Sequence, residues 1–172
     1  ALRPPRLERH LHGKSRELVA DDYVYSLKRA LDPNLRRGGD PITTDLIVGA
    51  RRVVDDARAK GKFDYDQSID GLRALDRYTI QLRLKEPNYP VIRDYLNNGA
   101  VAREVIEAAG GDIRTRAVGT GPYRLREWKR GSRVVLEANS RYRPLGFPES
   151  SDPANAALVR RMQGKTLPQI GV

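Results

Sequence analysis

Two short runs hold the side chains whose types could bind a metal. His10 and His12 flank a single leucine and could present two ligands on one side of a strand, but a zinc site needs three or four convergent ligands. Asp64 and Asp66 resemble the start of a calcium loop, yet no glycine and terminal glutamate follow at the spacing of such a loop. The sequence therefore predicts no metal site and no cofactor.

The sequence contains no set of residues with the spacing of a catalytic group. It has no cysteine and only two histidines, which excludes thiol nucleophiles and leaves little for imidazole catalysis. The run Gly119-Thr120-Gly121 suggests a phosphate-binding loop, but it lacks a third glycine or a Lys-Ser/Thr pair and leads into Pro122 and a strand. We interpret this run as a strained turn and predict that the protein is not an enzyme.

Composition bounds the class of protein. The 172 residues are 39% hydrophobic and 31% charged, which suits a globular chain of one domain, or one domain and part of another. The net charge of +10 leaves a basic nucleic-acid-binding module as an alternative class. Between residues 114 and 161 the basic residues mostly alternate with apolar ones, and only 6% of the chain is aromatic. This pattern favours a solvated basic surface, so nucleic acid is not the expected partner.

Apolar spacing predicts helices in the first part of the chain. The best one runs from Ala20 to Leu31 and ends at Asp32-Pro33. Its predicted buried face consists of Ala20, Tyr23, Val24, Leu27 and Leu31. A second helix is predicted over about residues 43–60, with Gly61 as its stop. Shorter helices are predicted over residues 91–96, after Pro87 and Pro90 break the chain, and over residues 101–109.

Two hairpins are predicted where the apolar period changes to two. In the first, over residues 72–85, the inward side chains are Tyr78, Ile80, Leu82 and Leu84. In the second, Tyr123 and Leu125 share one face of the first strand, residues 131–132 form the turn, and Val134 and Leu136 line the return strand. The stretch from residue 154 is ambiguous between helix and strand. The predicted class is α+β, with helices packed on an antiparallel or mixed sheet.

Three segments in order along the chain form a family pattern. Residues 17–33 read ELVADDYVYSLKRALDP, residues 75–87 read LDRYTIQLRLKEP, and residues 118–139 contain VGTGPYRLREW followed by GSRVVLEAN. Any one of them alone is a weak signal, whereas three in order make a strong one. Together they resemble the extracellular solute-binding protein family 5, the peptide-, dipeptide- and nickel-type receptors of ABC importers. The resemblance covers roughly residues 14–145.

This resemblance implies a fragment of one lobe of a type II periplasmic binding protein. Members of the family have two lobes that close over a ligand, and the chain would supply part of the N-terminal lobe. Residues 1–13 would be a disordered lead-in, residues 14–115 a small α+β subdomain of lobe I, and residues 116–172 strands that return to the main subdomain. The intact protein would be periplasmic, would capture a peptide-like or other small solute, and would deliver it to ABC permease subunits.

The resemblance also implies which residues come nearest to the ligand cleft. They are Arg36 and Arg37 in the loop after the first helix, and Thr120, Gly121 and Tyr123 in the crossing segment. The 172-residue chain alone is expected to bind solute weakly or not at all, because it supplies mainly one wall of the cleft.

The sequence departs from the family pattern at residues 139–143, which lack the proline and tryptophan of the family's N-P-x-Y-W ending, and at Val19. Val19 stands where the family usually has Thr or Ser as the N-cap of the first helix. Since valine cannot accept the capping hydrogen bond, Asp21 or Asp22 is expected to compensate.

Overall fold

The computed structural model describes residues 6–7, 16–36, 38–97, 99–110, 118–140, 142 and 152–163. Within these ranges the helices are α1 (Ala20–Leu31), α2 (Pro41–Leu46), α3 (Ala50–Lys60), α4 (Tyr89–Leu96), α5 (Arg103–Ala108) and α6 (Ala156–Met162). The strands are β1 (Arg6–Leu7), β2 (Arg16–Glu17), β3 (Leu72–Ala74), β4 (Ile80–Leu82), β5 (Tyr123–Lys129) and β6 (Arg133–Ala138). They form antiparallel pairs, β1 with β2, β3 with β4 and β5 with β6, and the predicted α+β class is confirmed. None of the described helices is long and apolar enough to cross a membrane.

Helix α1 has the predicted bounds and a cap supplied by Asp22. Val19 precedes the helix in an extended conformation and makes no side-chain cap. Instead, Oδ2 of Asp22 accepts the backbone N–H of Val19 at 3.0 Å, which is the return half of a capping box. The expected compensation for Val19 is therefore confirmed, and it comes from Asp22. At the other end, Asp32 leaves the helical conformation before Pro33, as proline demands of the residue that precedes it.

The buried face of α1 is wider than an apolar stripe. It consists of Ala20, Asp22, Tyr25, Ser26, Leu27, Lys28 and Leu31. Tyr23 and Val24, which were predicted to be buried, are only half-buried. The polar members are buried because neighbouring segments bind them: the hydroxyl oxygen of Ser26 accepts the N–H of Val101 at 2.8 Å, and Lys28 binds two backbone carbonyls. Helix α1 is thus in contact with several parts of the chain at once.

The prediction of a single helix over residues 43–60 is wrong, because residues 47–49 separate α2 from α3. Ile47 pairs with Leu84 as an antiparallel bridge, and Val48 donates its N–H to the carbonyl of Arg83 at 3.1 Å. Gly49 has a φ of 80°, which glycine adopts without the strain of a Cβ. Pairing with a strand segment therefore replaces one turn of helix. Apolar spacing along the helix does not show such a distant contact.

The hydrophobic core of the described chain lies between α1, α3 and the β3–β4 hairpin. Its buried members are Leu27, Leu31, Ile47, Ala50, Val53, Val54, Ala57, Phe63, Ile69, Leu72 and Tyr95. Ile80, Leu82 and Leu84 pack against it from the hairpin, as predicted. Burying one such large side chain stabilises the fold by about 1.5–3 kcal/mol, so this set is the main source of stability for residues 16–110.

Tyr78 does not face this core, and that part of the first hairpin prediction is wrong. Its side chain is 65% exposed, because it belongs to the turn. Oδ1 of Asp76 accepts the N–H groups of Tyr78 and Thr79 at 2.8 and 3.0 Å, so strand pairing starts only at Ile80. The hydroxyl of Tyr78 donates to Oε1 of Glu17 at 3.1 Å instead.

The first residues of the shorter helices α4 and α5 differ from the predicted ones. Pro90 does not break the chain before α4 but lies in its first turn, where the missing N–H costs nothing. Oδ1 of Asn88 caps this helix by accepting the N–H of Val91 at 3.0 Å. Helix α5 begins at Arg103 instead of the predicted residue 101, because Ala102 has an extended conformation.

The second hairpin is confirmed, with its turn at residues 131–132. Tyr123 pairs with Ala138 and Leu125 with Leu136. Strands β5 and β6 pack chiefly on each other within the described chain. The ambiguous stretch after residue 154 is helical from Ala156.

Candidate functional site

The segment that contains Thr120 and Gly121 is a turn held closed by Asn139. Asn139 is buried; its Nδ2 donates to the carbonyl of Gly121 at 2.9 Å, and its backbone N–H donates to the carbonyl of Pro122 at 2.8 Å. The interpretation as a turn is correct, but the expected strain is wrong, because neither Gly119 nor Gly121 has a positive φ. Asn139 was not predicted as a site residue. Its signal in the sequence is its place at the end of the third motif, directly after a strand.

The other predicted cleft residues lie in two places. Tyr123 is half-buried and opens β5, so it is continuous with the turn that Asn139 closes. Arg36 is exposed in a different turn, after α1. Asp32 organises that turn, since its Oδ1 accepts the N–H of Asn34 at 2.9 Å and its Oδ2 accepts the hydroxyl of Tyr65 at 2.6 Å. Thr120, Gly121 and Tyr123 thus lie in one segment, whereas Arg36 lies in a different turn. Arg37 lies outside the described residues.

A groove of about 570 Å³ lies at the N-terminal half of α1. Its lining residues are Arg16, Glu17, Val19, Asp21, Asp22, Val24, Tyr25, Lys28, Tyr65, Asp66, Arg77 and Arg103. Of the predicted cleft residues that the structure describes, none lines it. No local sequence pattern indicates this groove, because its walls come from four stretches that are far apart in the chain.

Arg16, which lines this groove, binds two carboxylates. Its guanidinium donates to both oxygens of Asp22, at 2.7 and 2.5 Å, and to Glu104, at 2.9 Å from Nη2 to Oε2. The hydrogen bond from Arg16 lowers the pKa of Glu104, and the bonds to Asp22 and Glu104 raise the pKa of Arg16. Such bidentate pairs are the strong form of ion pair. They fasten β2 and α5 to the start of α1.

The other arginines of the groove are also paired. Arg103 binds Asp66 and Glu107 and lies 5.8 Å from the centre of the Tyr25 ring. Its hydrogen bond lowers the pKa of Asp66. Arg77 binds Glu17. Each of these arginines has a carboxylate partner within the protein, so their positive charges are balanced by the protein's own acidic groups. These ion pairs connect separate segments of the fold.

Lys28 has a structural role at the floor of the groove. Its Nζ donates to the carbonyls of Tyr65 and Gln67 at 2.9 and 2.8 Å, which fixes the turn after α3 against α1. Burial lowers the pKa of Lys28. Burial and the hydrogen bond to Asp32 raise the pKa of Tyr65, so its hydroxyl stays protonated as a donor. These two groups position chain segments and have no nucleophile beside them among the described groove residues.

Comparison with protein families shows what this fold belongs to. Residues 13–163 match the family model described as bacterial extracellular solute-binding proteins, family 5 Middle. The match covers most of the chain, and the chain belongs to this family. Its members are substrate-binding proteins of transport systems. The resemblance drawn from three motifs is therefore confirmed, and the matched range extends past residue 145 into α6.

Individual relatives agree with the family. The chain is 32% identical over 130 residues to the periplasmic oligopeptide-binding protein OppA of Salmonella typhimurium, covering 73% of this chain and 23% of OppA. It is 30% identical over 137 residues to the glutathione-binding protein GsiB of Pectobacterium atrosepticum, covering 78% of this chain and 27% of GsiB. The chain thus spans about a quarter of the length of these curated relatives.

A solved structure shows the same fold. The OppA structure of Burkholderia pseudomallei matches with a TM-score of 0.54 and 25% identity, covering 81% of this chain and 28% of that one. The predicted fold, a partial lobe of a type II periplasmic binding protein, is confirmed.

Proposed function

We propose that this chain is part of the substrate-binding component of an ABC importer, which captures a peptide-like or other small solute and delivers it to permease subunits in the membrane. The observation that supports this most directly is the family match over residues 13–163. The relatives named above are called oligopeptide-binding and glutathione-binding proteins, and both ligand types contain peptide bonds. The same names support a periplasmic location.

Such a receptor needs no covalent chemistry. A solute shifts two lobes from open to closed by its higher affinity for the closed state, so the protein is proposed to act as a receptor and not as an enzyme. The described chain suits the role of a rigid wall. Its core is buried, and the turn at residues 120–123 is locked by Asn139, as a preorganised binding element should be.

We propose that the ligand-proximal groups of this chain are Arg36, Arg37, Thr120, Gly121 and Tyr123. The proposed division into residues 14–115 and 116–172 agrees with the packing of the described chain, in which the core of the first part contains no residue of β5 or β6. The boundary itself lies outside the described residues.

Calorimetric titration of di- to pentapeptides against two proteins tests the proposal: the 172-residue chain and a longer form that carries the sequence beyond both ends. We expect binding to the longer form and weak or no binding to the 172-residue chain. In the longer form, Thr120→Val should weaken binding, whereas Arg93→Ala on the exposed face of α4 should not. If no peptide or other small solute binds the longer form, the proposed function is wrong. Micromolar binding by the 172-residue chain would contradict the assignment of this chain to one wall.

The nucleic-acid alternative makes a different prediction. A phosphate-binding module would retain duplex DNA or RNA and lose it steeply as salt rises. The comparisons do not favour this class, and many basic side chains already have carboxylate partners: Arg16, Arg51, Arg58, Arg77, Arg93, Arg103, Arg124 and Arg133. Salt-dependent retention of DNA or RNA in a filter-binding assay would support the alternative over the receptor.

A further inference from the structure

The groove beside α1 has the size of a small-molecule site. Its volume of about 570 Å³ lies within the range of about 300–1,000 Å³ that is usual for ligand pockets. Its lining comes entirely from residues 16–103 and includes no residue of the turn at 120–123. A ligand in this groove would therefore be bound apart from the proposed solute cleft.

One row of side chains along α1 forms a wall of the groove. Its members are Asp21, Val24, Tyr25 and Lys28. These positions are three or four residues apart, which places them on the same face of a helix. Asp21 and Lys28 are separated by about 10 Å along the axis, at a rise of about 1.5 Å per residue. The row thus has a carboxylate at one end, an ammonium at the other, and apolar surface between them.

Lys28 is a buried cation with one hydrogen-bond donor to spare. The residue is only 8% exposed. Its Nζ donates to the carbonyls of Tyr65 and Gln67, whereas an ammonium has three donors. Within the described part of the chain it forms no ion pair with a carboxylate, and burial lowers its pKa. An anion that reaches this group would supply the counter-charge that a buried cation requires.

Asp21 is the available carboxylate of the lining. It is exposed in the first turn of α1 and has no ion-pair or hydrogen-bond partner among the described residues. The other acidic groups of the lining are bound to its arginines, in the pairs Glu17 with Arg77, Asp22 with Arg16, and Asp66 with Arg103. One carboxylate and one ammonium, both on the same helix face, are therefore left to contact a ligand.

We propose that this row binds a linear zwitterion, a small molecule with an ammonium group at one end, a carboxylate at the other and a spacer between them. The ligand ammonium lies at Asp21, and the ligand carboxylate accepts the third N–H of Lys28. The spacer packs on Val24 and Tyr25. ω-Amino acids and short peptides share this chemistry. The inference does not rest on the proposed function, because the groove is separate from the turn at residues 120–123.

An NMR titration of the isotopically labelled 172-residue chain with ε-aminocaproate tests the proposal. Caproate and hexylamine, each of which lacks one charged end, are the matched ligands. We expect a dissociation constant on the order of a millimolar for ε-aminocaproate, as suits so small a ligand, with shift changes at the amides of Val24, Tyr25 and Lys28. Both single-ended ligands should bind several-fold more weakly. Equal affinity for the three ligands, or no shift changes in α1, would overturn the proposal.

Substitution of Asp21 separates the row from the net charge of the chain. Asp21→Asn keeps the size of the side chain, so it should weaken ε-aminocaproate several-fold and leave caproate binding little changed. Asp70→Asn is the matched control, because Asp70 is also exposed and lies outside the groove lining; it should change neither affinity. Equal effects of the two substitutions would contradict the assignment of the ammonium end to Asp21.

Substitution of Lys28 tests the other end of the row. Lys28→Met removes the ammonium and should abolish the binding of both caproate and ε-aminocaproate, with circular dichroism as the check on folding. Unchanged caproate binding in the folded variant would contradict the role of Lys28. If the variant does not fold, the comparison of Asp21→Asn with Asp70→Asn still decides the proposal.

Triglycine distinguishes the two sources of this chemistry. Its end groups are about 10 Å apart when it is extended, at about 3.3–3.6 Å per residue. Binding that is tighter than that of ε-aminocaproate, with the same shift changes in α1 and the same sensitivity to Asp21→Asn, would assign the ligand to short peptides. Weaker binding would assign it to ω-amino acids. If the longer form binds no solute while ε-aminocaproate still binds at α1, the proposed function fails and this inference stands.

Discussion

The core around α1 and the β5–β6 hairpin contain the same kinds of apolar residue in very different surroundings. Leu27 on α1 is 1% exposed, whereas Leu136 on β6 is 40% exposed. Helix α1 is covered by β3–β4, by the turn at residues 63–67 and by α4, and the hairpin packs chiefly on itself. The difference teaches that a periodic pattern identifies an apolar face but does not say whether the same stretch of chain supplies its cover.

The comparison is tested most strongly by truncating one leucine in each region of the 172-residue chain. Leu27→Ala should lower the free energy of unfolding by about 3 kcal/mol, because it removes a fully buried side chain and leaves a cavity. Leu136→Ala should lower it by less than about 1 kcal/mol, since the side chain is already largely hydrated. Urea denaturation followed by circular dichroism measures both. Equal losses would show that the hairpin belongs to the same core.

A second test uses the close backbone approach that separates α2 from α3. A Cβ at Gly71 would lie 2.7 Å from the carbonyl of Arg83 and from the backbone of Val48, so Gly71→Ala forces these segments apart. We expect a loss of about 1–3 kcal/mol, as for other overpacked sites. Gly99→Ala is the matched control, because a Cβ there has open space. Thermal denaturation of the two variants decides the point, and an unchanged midpoint for Gly71→Ala would contradict the described packing.

The ion pairs of the groove are expected to matter less than the core. Arg16→Gln leaves the buried carboxylate of Asp22 without its partner, which costs about 1–2 kcal/mol when the usual value for a buried pair is reduced for the partial exposure of Arg16. Arg93→Gln should change the stability much less, since the Arg93–Asp94 pair is exposed. The urea midpoints of the two variants compare the two losses of stability directly. Equal losses would show that the ion pairs of the groove contribute no more to stability than an exposed pair.

The same variant has a defined pH dependence. Arg16 lowers the pKa of Glu104 below its ordinary value of 4.5, so the unfolded state binds more protons in acid. The stabilisation from this pair is therefore present above pH 4.5 and is lost as the pH falls through the lower pKa of the folded state. In Arg16→Gln the stability between pH 5 and pH 3, measured by urea denaturation, should fall less steeply than in the unmodified chain. A parallel fall in both proteins would show that Glu104 gains nothing from Arg16.

The smallest expected effect is a gain in stability from a substitution in the well-packed core around α1. Thr44 is fully buried, and its hydroxyl has no hydrogen-bond partner among the described residues. Thr44→Val removes this unsatisfied group at nearly constant volume and should stabilise the chain by about 1 kcal/mol. Thr44→Ala also removes a methyl group, and we do not expect it to stabilise the chain. A loss of stability in Thr44→Val, measured by thermal denaturation, would indicate a hydroxyl partner.

Local patterns predicted the elements that local forces determine. The bounds of α1 follow from its apolar spacing and from Asp32-Pro33, and the stop of α3 follows from Gly61. Both hairpins follow from alternation and turn residues. The break at residues 47–49 was missed because it depends on pairing between Ile47 and Leu84, which lie far apart in the chain.

The candidate sites show the same limit. The turn at residues 120–123 was predicted, but Asn139, which closes it, was identified only from the structure. The groove beside α1 was also missed, because Arg16, Arg77 and Arg103 reach it from separate elements. Strict alternation predicted that Tyr78 faces the core, but Tyr78 belongs to a turn closed by Asp76. Alternation also does not place Trp128 on the face of Leu125, because it does not show the bulge at Arg126.

Amide hydrogen exchange of the 172-residue chain tests the central difference between the two regions most directly. The amides in the middle of α1 and α3 should exchange only through global unfolding, with protection that matches the free energy of unfolding. The paired amides of β5 and β6 should exchange through local opening, with protection lower by several orders of magnitude. If the hairpin amides are as strongly protected as those of α1, the chain covers its own apolar face and the account is contradicted.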